Sequence, residues 1–263
     1  MNVYTSIVSL YGRERMARET VRRFMERGGL SNNDTVNLFH FGKDGGGPEL
    51  GSMPHNVIVT HAVHESILGD FRAVLYSVPE GKDWLFLEDD LSPCRQAYTF
   101  MAAYEIPSYV GLVSFFDYRN QWPSPGLHCD PVQPFWGSQA LKIPGRIVDS
   151  LKRLAVARFA DDMKGWDTWL GRAMDELRLN VAHYAPSVVQ HIGARSVVYS
   201  DVAIRPTANN FPGEDFDAWT MPADPIVPGP WTPFDWHPSE SPDYCNGHRK
   251  IHPNGNYCPQ IRK

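Results

Sequence analysis

Strand-like and helix-like segments alternate along the first 200 residues, and this order restricts the chain to a few folds. Buried-type apolar stretches predict strands at residues 4–10, 35–41, 56–60, 84–87 and 111–116. Amphipathic or apolar segments of helical length predict helices at residues 14–27, 65–77, 143–156 and 166–179. This alternation is typical of an α/β domain, so we expect an open, mainly parallel sheet with flanking helices.

The composition is that of one domain with an appendage. The chain has 263 residues, is 42% apolar and carries a net charge of −5, which allows a single large core. No run of apolar residues is long enough to predict a transmembrane helix, and the first residues lack the pattern of a secretory signal. Four cysteines are too few for a disulfide framework. We therefore expect a soluble, cytoplasmic protein.

The texture of the sequence changes at about residue 201. Residues 201–263 hold half of the 22 prolines, which rules out long helices and central strands there. Trp219, Trp231 and Trp236 lie in the same stretch, and a disordered tail seldom holds three tryptophans. We expect a domain at residues 1–200, with residues 201–263 as an extended segment packed on its surface.

Three consecutive acids follow the short apolar strand at residues 84–87. Glu88, Asp89 and Asp90 would repel one another at the end of a strand unless a cation compensates them. In open α/β sheets this is also where ligands bind. The pattern fits a Mg²⁺ or Mn²⁺ site that bridges phosphates, and it fits equally a solvated acidic turn in which Asp90 or Ser92 caps the next helix.

Three stretches together resemble GT-A glycosyltransferases. Residues 84–91 (WLFLEDDL) resemble the apolar strand that ends in the family's Asp-Xaa-Asp motif. Residues 5–10 (TSIVSL), followed by an arginine-rich helix, resemble the first strand and helix, which hold the nucleotide. Residues 186–193 (PSVVQHIG) resemble a late segment of N-glycan-branching N-acetylglucosaminyltransferases and their relatives. The resemblance spans about residues 3–200 and implies a GT-A catalytic domain.

The resemblance also implies roles for individual residues. Mn²⁺ or Mg²⁺ would be held by Asp90, Asp89 and His191, although His191 taken alone also fits a hydrogen-bonded core residue. The donor, above all a UDP-sugar, would contact residues from both ends of the domain, namely Ser9, Tyr11, Arg13, Arg72, Glu88, Asp89 and Gly193. Arg13 and Arg72, taken singly, equally fit solvated helix arginines.

The general base that an inverting transfer requires has two candidates. Asp167 matches the family's catalytic carboxylate near the start of a late helix, and Asp162 is the second choice. Asp167 also fits a helix cap or a partner of the helix dipole.

A further pattern lies in the tail. Cys245, His248, His252 and Cys258 have short spacings that tetrahedral Zn²⁺ accepts, although known fingers have a longer central loop. A structural Zn²⁺, a disulfide and unbonded cysteines are the alternatives.

The sequence thus predicts a metal-dependent glycosyltransferase that moves a hexose or pentose from a nucleotide-diphosphate sugar to a hydroxyl, with no membrane partner. A saccharide, a protein or a hydroxymethylated base in viral DNA are the alternative acceptors, because small enzymes of this type without a signal occur in bacteriophages. In that last case the location is the host cytoplasm, and the basic end of the tail would contact the nucleic acid. The alternative functions are a metal-dependent phosphoesterase that uses the same carboxylates and His191, and a non-catalytic nucleotide-sugar-binding module.

Overall fold

The computed structural model describes residues 2–43, 50, 53–117, 124–130, 135, 137–158, 165–193 and 207–222. Its strands, in chain order, are β1 (Val3–Leu10), β2 (Val36–Gly42), β3 (Val57–Val63), β4 (Asp83–Glu88), β5 (Leu91–Pro93), β6 (Val110–Ser114), β7 (Gly126–Asp130), β8 (Ala140–Ile143), β9 (Asn180–Ala185) and β10 (Val189–His191). Its α-helices are α1 (Glu14–Glu26), α2 (Ile67–Ser77), α3 (Ala97–Ala103), α4 (Gly145–Arg158) and α5 (Trp166–Glu176), and a short 3-10 helix spans Ala218–Thr220.

The described strands form a mixed, mostly parallel sheet of eight strands in the order β3-β2-β1-β4-β8-β6-β9-β7. The first four strands in this order are parallel, and so is the pair of β6 and β9. The strand β8 runs antiparallel to β4 and β6, and β7 runs antiparallel to β9. The expected α/β fold with a mainly parallel sheet is therefore confirmed, with antiparallel strands added in its second half.

All nine predicted helices and strands are present, with bounds that differ by up to three residues. Helix α2 begins two residues later than predicted because Ser66 is its cap, where the serine hydroxyl accepts a hydrogen bond from the Gly69 amide at 2.9 Å. The elements that the sequence did not predict are short or lie late in the domain, namely α3, β5, β7, β8, β9 and β10.

Helices cover both faces of the sheet and bury a separate cluster on each. On one face, α1 and α3 contribute Phe24 and Phe100, both at most 3% exposed. On the other face, α2, α4 and α5 pack around Phe71, which contacts the rings of Trp84 and Trp166 at centroid distances of 5.4 and 5.7 Å. This packing fixes the start of α5 close to β4, because Trp166 also packs against Phe86 of β4 at 5.4 Å.

The order of the strands reverses between β1 and β4. From β1 the chain first moves outward to β2 and β3, and it then returns to add β4 on the other side of β1. The crevice beyond the carboxyl ends of these two strands is the place where open α/β sheets bind their ligands.

Residues 207–222 lie against the body of the domain. Glu214 pairs with Arg23 of α1 and with Arg27, the residue that follows α1, and the Arg27 contact is 2.8 Å long. The amide of Gln190 exchanges two hydrogen bonds with the backbone of Ala208, each 2.9 Å long. This segment therefore supports both α1 and β10 from outside the sheet. None of the helices in the described ranges is long and apolar enough to cross a membrane.

Candidate active site

The acidic triplet and His191 meet because two very short strands pair. Glu88 is the last residue of β4, Asp89 and Asp90 follow it, and β5 begins at the next residue, Leu91. Strand β10 pairs antiparallel with β5, with His191 opposite Leu91, and the Ile192 amide donates a hydrogen bond to the Asp90 carbonyl at 2.8 Å. This pairing places His191 in contact with Asp90, about 100 positions earlier in the chain, at the carboxyl end of β4.

Glu88, Asp90 and His191 form a compact set of potential metal ligands. One ligand atom from each lies within 4.8 Å of the others. The His191 Nε2 is 2.8 Å from Asp90 Oδ2, and Ser138 Oγ donates to Glu88 Oε1 at 3.0 Å. Asp90 is fully buried, and within the described part of the chain its Oδ1 and the His191 Nδ1 have no hydrogen-bond partner. Oxygen and imidazole ligands of this kind, with unpartnered polar atoms beside them, fit Mn²⁺ or Mg²⁺.

Arg13 inserts a guanidinium between two of the carboxylates. It lies between β1 and α1, and its Nη2 and Nε are 2.7 and 3.1 Å from the two oxygens of Asp89. The same Nη2 also contacts Asp90 Oδ2, the oxygen that faces His191. Asp89 is bound by Arg13 and accepts a hydrogen bond from Ser9, and Glu88 lies with Asp90 and His191 in the compact ligand set. A metal contact of Asp89 stays a prediction.

Thr20 holds the backbone of the triplet and was missed by the sequence analysis. Its hydroxyl donates to the Asp89 carbonyl at 2.7 Å and accepts from the Leu91 amide at 3.0 Å. The signal for it was present, because Thr20 is a polar residue beside Ala17, Val21 and Phe24 on the buried face of α1. A buried hydroxyl needs partners, and here they fix the turn that carries the acids.

The titration of the cluster reflects its burial. Burial raises the pKa of Glu88 to about 7, with the charge of Asp90 adding to the effect. Burial likewise raises the pKa of Asp89 to about 7, against the charge of Arg13. At Asp90 burial also favours the neutral acid, but His191 and Arg13 outweigh it and lower the pKa. Burial disfavours the imidazolium of His191, yet its contact with Asp90 raises the pKa of that histidine.

These shifts predict a pH-dependent stability for the protein without metal. The folded chain keeps a proton on Glu88 up to about pH 7, whereas the unfolded chain releases the proton of a glutamate near its ordinary pKa of 4.5. Because the folded state then binds more protons, the free energy of unfolding falls as the pH rises through this window, by on the order of 3 kcal/mol for Glu88. Thermal unfolding in EDTA over this pH range measures the change in stability.

The matched variants are Glu88→Gln, which removes one titrating group, and Glu80→Gln, which changes an exposed glutamate. Glu88→Gln should flatten the pH dependence, and Glu80→Gln should leave it unchanged. Equal slopes for the wild type and Glu88→Gln would contradict the raised pKa.

Gly193 leaves space for the acidic cluster because it has no side chain. A Cβ at this position would overlap Asp90 Oδ2 and would come within 3.2 Å of His191 Cε1. Gly193 is one of the residues predicted to contact the donor. In the structure the close neighbour is the Asp90 carboxylate, so a glycine is needed for the acidic cluster itself.

The remaining donor-binding candidates lie along the same edge of the sheet. Tyr11 stacks beneath Lys43, whose Nζ is 4.9 Å from the ring centroid, and contacts the ring of His64 edge-on at 6.1 Å. His64 Nδ1 in turn is 2.6 Å from Asp70 Oδ2. Asp70 and Arg72 line a cleft of about 350 Å³ between α2 and the ends of β2 and β3. The structure thus brings Ser9, Arg13 and the triplet together and leaves Arg72 at a neighbouring cleft.

Asp167 lies in the first turn of α5. The cap of this helix is Gly165, and Asp167 Oδ1 accepts a hydrogen bond from the Thr168 amide at 2.9 Å. The helix-start position that the sequence predicted for Asp167 is therefore observed, and Asp167 directly follows Trp166, whose ring packs on β4. Asp162 and the four tail residues Cys245, His248, His252 and Cys258 lie outside the described residues.

Comparisons with known proteins find likeness in shape only. No model of a known protein family matches the chain, and no curated protein matches its sequence. Among solved structures, the chain is similar to the apo form of the glycosyltransferase GlyE of Streptococcus pneumoniae TIGR4, with 12% identity and a TM-score of 0.41 over 68% of this chain and 44% of that one. It is also similar to the galactosyltransferase LgtC in complex with donor and acceptor sugar analogues, with 10% identity and a TM-score of 0.45 over 76% of this chain and 92% of that one.

A third similar structure is GalNAc-T7 with UDP, GalNAc and Mn²⁺, with 12% identity and a TM-score of 0.49 over 72% of this chain and 43% of that one. The chain thus spans less than half of two of these three proteins. At such identities and TM-scores, a function for this chain has to be argued from its own residues.

Proposed function

We propose that the chain is a metal-dependent glycosyltransferase that moves a sugar from a nucleotide-diphosphate donor to an acceptor hydroxyl, with inversion at the anomeric carbon. The observation that carries the proposal is the convergence of Arg13, Glu88, Asp90 and His191 beyond the carboxyl ends of β1 and β4. Open α/β sheets bind ligands in this crevice. Carboxylates with an imidazole suit a divalent cation, and a guanidinium suits phosphate oxygens, so the set fits a metal–diphosphate pair.

Each of these residues has a role in the proposed transfer. Arg13 stands at the start of α1, where its five donors and the free amides of the first helical turn can bind a diphosphate together. A Mn²⁺ or Mg²⁺ held by Glu88, Asp90 and His191 would supply Lewis-acid stabilisation of the leaving nucleoside diphosphate. Arg13 adds a fixed positive charge at the same leaving group, and its side chain is only 14% exposed, so water screens this charge less than at the surface.

The cleft beside α2 suits the nucleoside. It lies at the ends of β2 and β3, two to three strand spacings or about 10–14 Å from the acids at the end of β4. An extended nucleoside diphosphate has this reach. The apolar lining of Phe41, Val63 and Tyr76 fits a flat base, and Arg72 offers a polar contact to it.

Asp167 is the proposed general base. Asp167→Asn should lower the rate of transfer by about 10²–10⁴-fold, because the amide cannot take the proton of the acceptor hydroxyl, while the affinity for the nucleotide donor stays unchanged. Rates of transfer and donor affinities by calorimetry measure the two effects separately. Glu176→Gln, at the exposed far end of the same helix, is the control. Transfer above half of the wild-type rate in Asp167→Asn would assign the base elsewhere.

The whole proposal is tested by a donor screen. UDP-, GDP- and other nucleotide-diphosphate hexoses and pentoses are incubated with the full chain and Mn²⁺, and the release of nucleoside diphosphate is followed. Saccharides, proteins and DNA containing hydroxymethylated bases form the acceptor arms of the screen. We expect release that EDTA abolishes and that restored Mn²⁺ recovers.

Two outcomes would replace the proposal. Hydrolysis of phosphodiesters without a sugar donor would indicate the phosphoesterase, which the same carboxylates and His191 can also serve. Binding of a donor with no release under any acceptor would indicate a nucleotide-sugar-binding module.

A further inference from the structure

The acidic triplet is already paired with a cationic side chain, the guanidinium of Arg13. Glu88, Asp89 and Asp90 are consecutive, and Asp89 and Asp90 are at most 3% exposed, so their charges need compensation inside the protein. Among the described residues, Arg13 is the permanently charged side chain that contacts them, and it binds both oxygens of Asp89 as well as Asp90. A guanidinium does not lose its proton, so this positive charge is permanent.

Arg13 and a divalent ion would use the same carboxylate. The guanidinium contacts Asp90 Oδ2, and the same oxygen faces His191 within the ligand set of Glu88, Asp90 and His191. A divalent cation that enters this set is repelled by the guanidinium and finds part of the carboxylate charge already neutralised. With Arg13 in this position, the site is poorly suited to a free metal ion.

The loop and the start of α1 allow the Arg13 guanidinium to change its partner. Gly12, directly before it, has a φ of +79°, and among the described residues no atom lies within 4 Å of the position that a Cβ would take there. Arg13 also stands beside the first amides of α1, where an anion binds. Phosphate oxygens accept the same parallel pair of hydrogen bonds that Asp89 accepts now.

On the basis of the proposed function, we propose that Arg13 is the counter-ion of the metal site while the site holds no metal. When the guanidinium instead binds a nucleoside diphosphate, Asp90 becomes available to a divalent cation. Metal and donor then bind with positive coupling, and free metal binds weakly. Because coupling is reciprocal, the factor by which UDP raises Mn²⁺ affinity equals the factor by which Mn²⁺ raises UDP affinity. The site is thereby kept from filling with metal in the absence of a donor.

The test measures Mn²⁺ affinity by calorimetry and electron paramagnetic resonance at one pH, with and without UDP or GDP. The wild type should bind Mn²⁺ at least about 10-fold more tightly when the nucleotide is present. Arg13→Gln should bind Mn²⁺ alone about 10-fold more tightly than the wild type, and the coupling factor should fall toward one. Arg15→Gln removes the same charge from a neighbouring exposed position and should behave as the wild type. Mn²⁺ binding that is unchanged or weaker in Arg13→Gln would overturn the proposal.

A second measurement does not depend on the folding of Arg13→Gln. The Nε–H resonance of Arg13 in the wild type, assigned by its absence from Arg13→Lys, reports the hydrogen bond to Asp89. Mg²⁺ alone should leave this resonance in position, and Mg²⁺ with UDP should shift it. A shift with Mg²⁺ alone, or none with Mg²⁺ and UDP bound, would overturn the proposal. If no nucleotide binds with either metal, the glycosyltransferase function fails instead, and Mn²⁺ affinity in Arg13→Gln still decides the role of Arg13.

Discussion

Asp90→Asn should lower Mn²⁺-dependent release of nucleoside diphosphate by about 10³-fold, the size expected when a metal site that stabilises a leaving group is lost. Asp90 is the carboxylate on which the cluster centres, because its Oδ2 contacts both Arg13 and His191. The amide has the same size but no charge, so it binds a hard divalent cation far more weakly. Initial rates across a Mn²⁺ titration measure the effect.

The fold should survive this substitution, because Arg13 keeps both oxygens of Asp89 as partners. Asp215→Asn is the matched control, since the Asp215 side chain is fully exposed and its contact with Arg27 is long, at 3.5 Å. We expect wild-type activity and an unchanged Tm for the control. Release by Asp90→Asn within about 10-fold of the wild type would contradict the metal assignment, whatever the activity of Asp215→Asn.

The part of the fold that could be predicted is the part with a strong local signal. Strands β1, β2 and β4 are runs of buried residues, and α1 carries an apolar face, so the apolar stretches and the helical period located them. Strands β5 and β10 are three residues long, too short for any periodic pattern, and their pairing is a tertiary event. Yet this pairing brings His191 onto Asp90, so the link between the two motifs was visible only through family resemblance.

The candidate site was predictable in its residue types and less so in their partners. The sequence marks Arg13, Asp89 and Asp90 as charged residues after two buried strands, but charge pairing across 76 positions depends on how β1 and β4 lie side by side. The contact between Asp89 and Arg13, for example, could not be read from the sequence. Thr20 was overlooked for a related reason, since a threonine on an apolar helix face does not reveal which backbone atoms it will meet.

Gly193→Ala should weaken Mn²⁺ binding by at least about 10-fold, measured in the presence of UDP. The added methyl group would overlap Asp90 Oδ2 and come within 3.2 Å of the His191 ring, so the carboxylate and the imidazole have to separate. A displacement of 1 Å is enough to spoil the geometry of a catalytic site. Calorimetry with Mn²⁺ and UDP measures the loss, and the Tm should fall because a crowded buried site costs about 1–3 kcal/mol.

Gly111→Ala provides a comparison of the same kind in the core. Its Cβ would overlap Met174 Sδ and lie 3.0 Å from Leu179 Cβ, so the Tm should also fall, but Mn²⁺ binding should be preserved. The overlap at Gly193 is with one carboxylate, so a double-mutant cycle can isolate it. In an Asp90→Ala background, Gly193→Ala should cost little further stability, because the overlapping atom is gone. If Gly193→Ala instead lowers the Tm equally in both backgrounds, the methyl group is strained against the backbone, and the need for glycine at this position lies outside the acidic cluster.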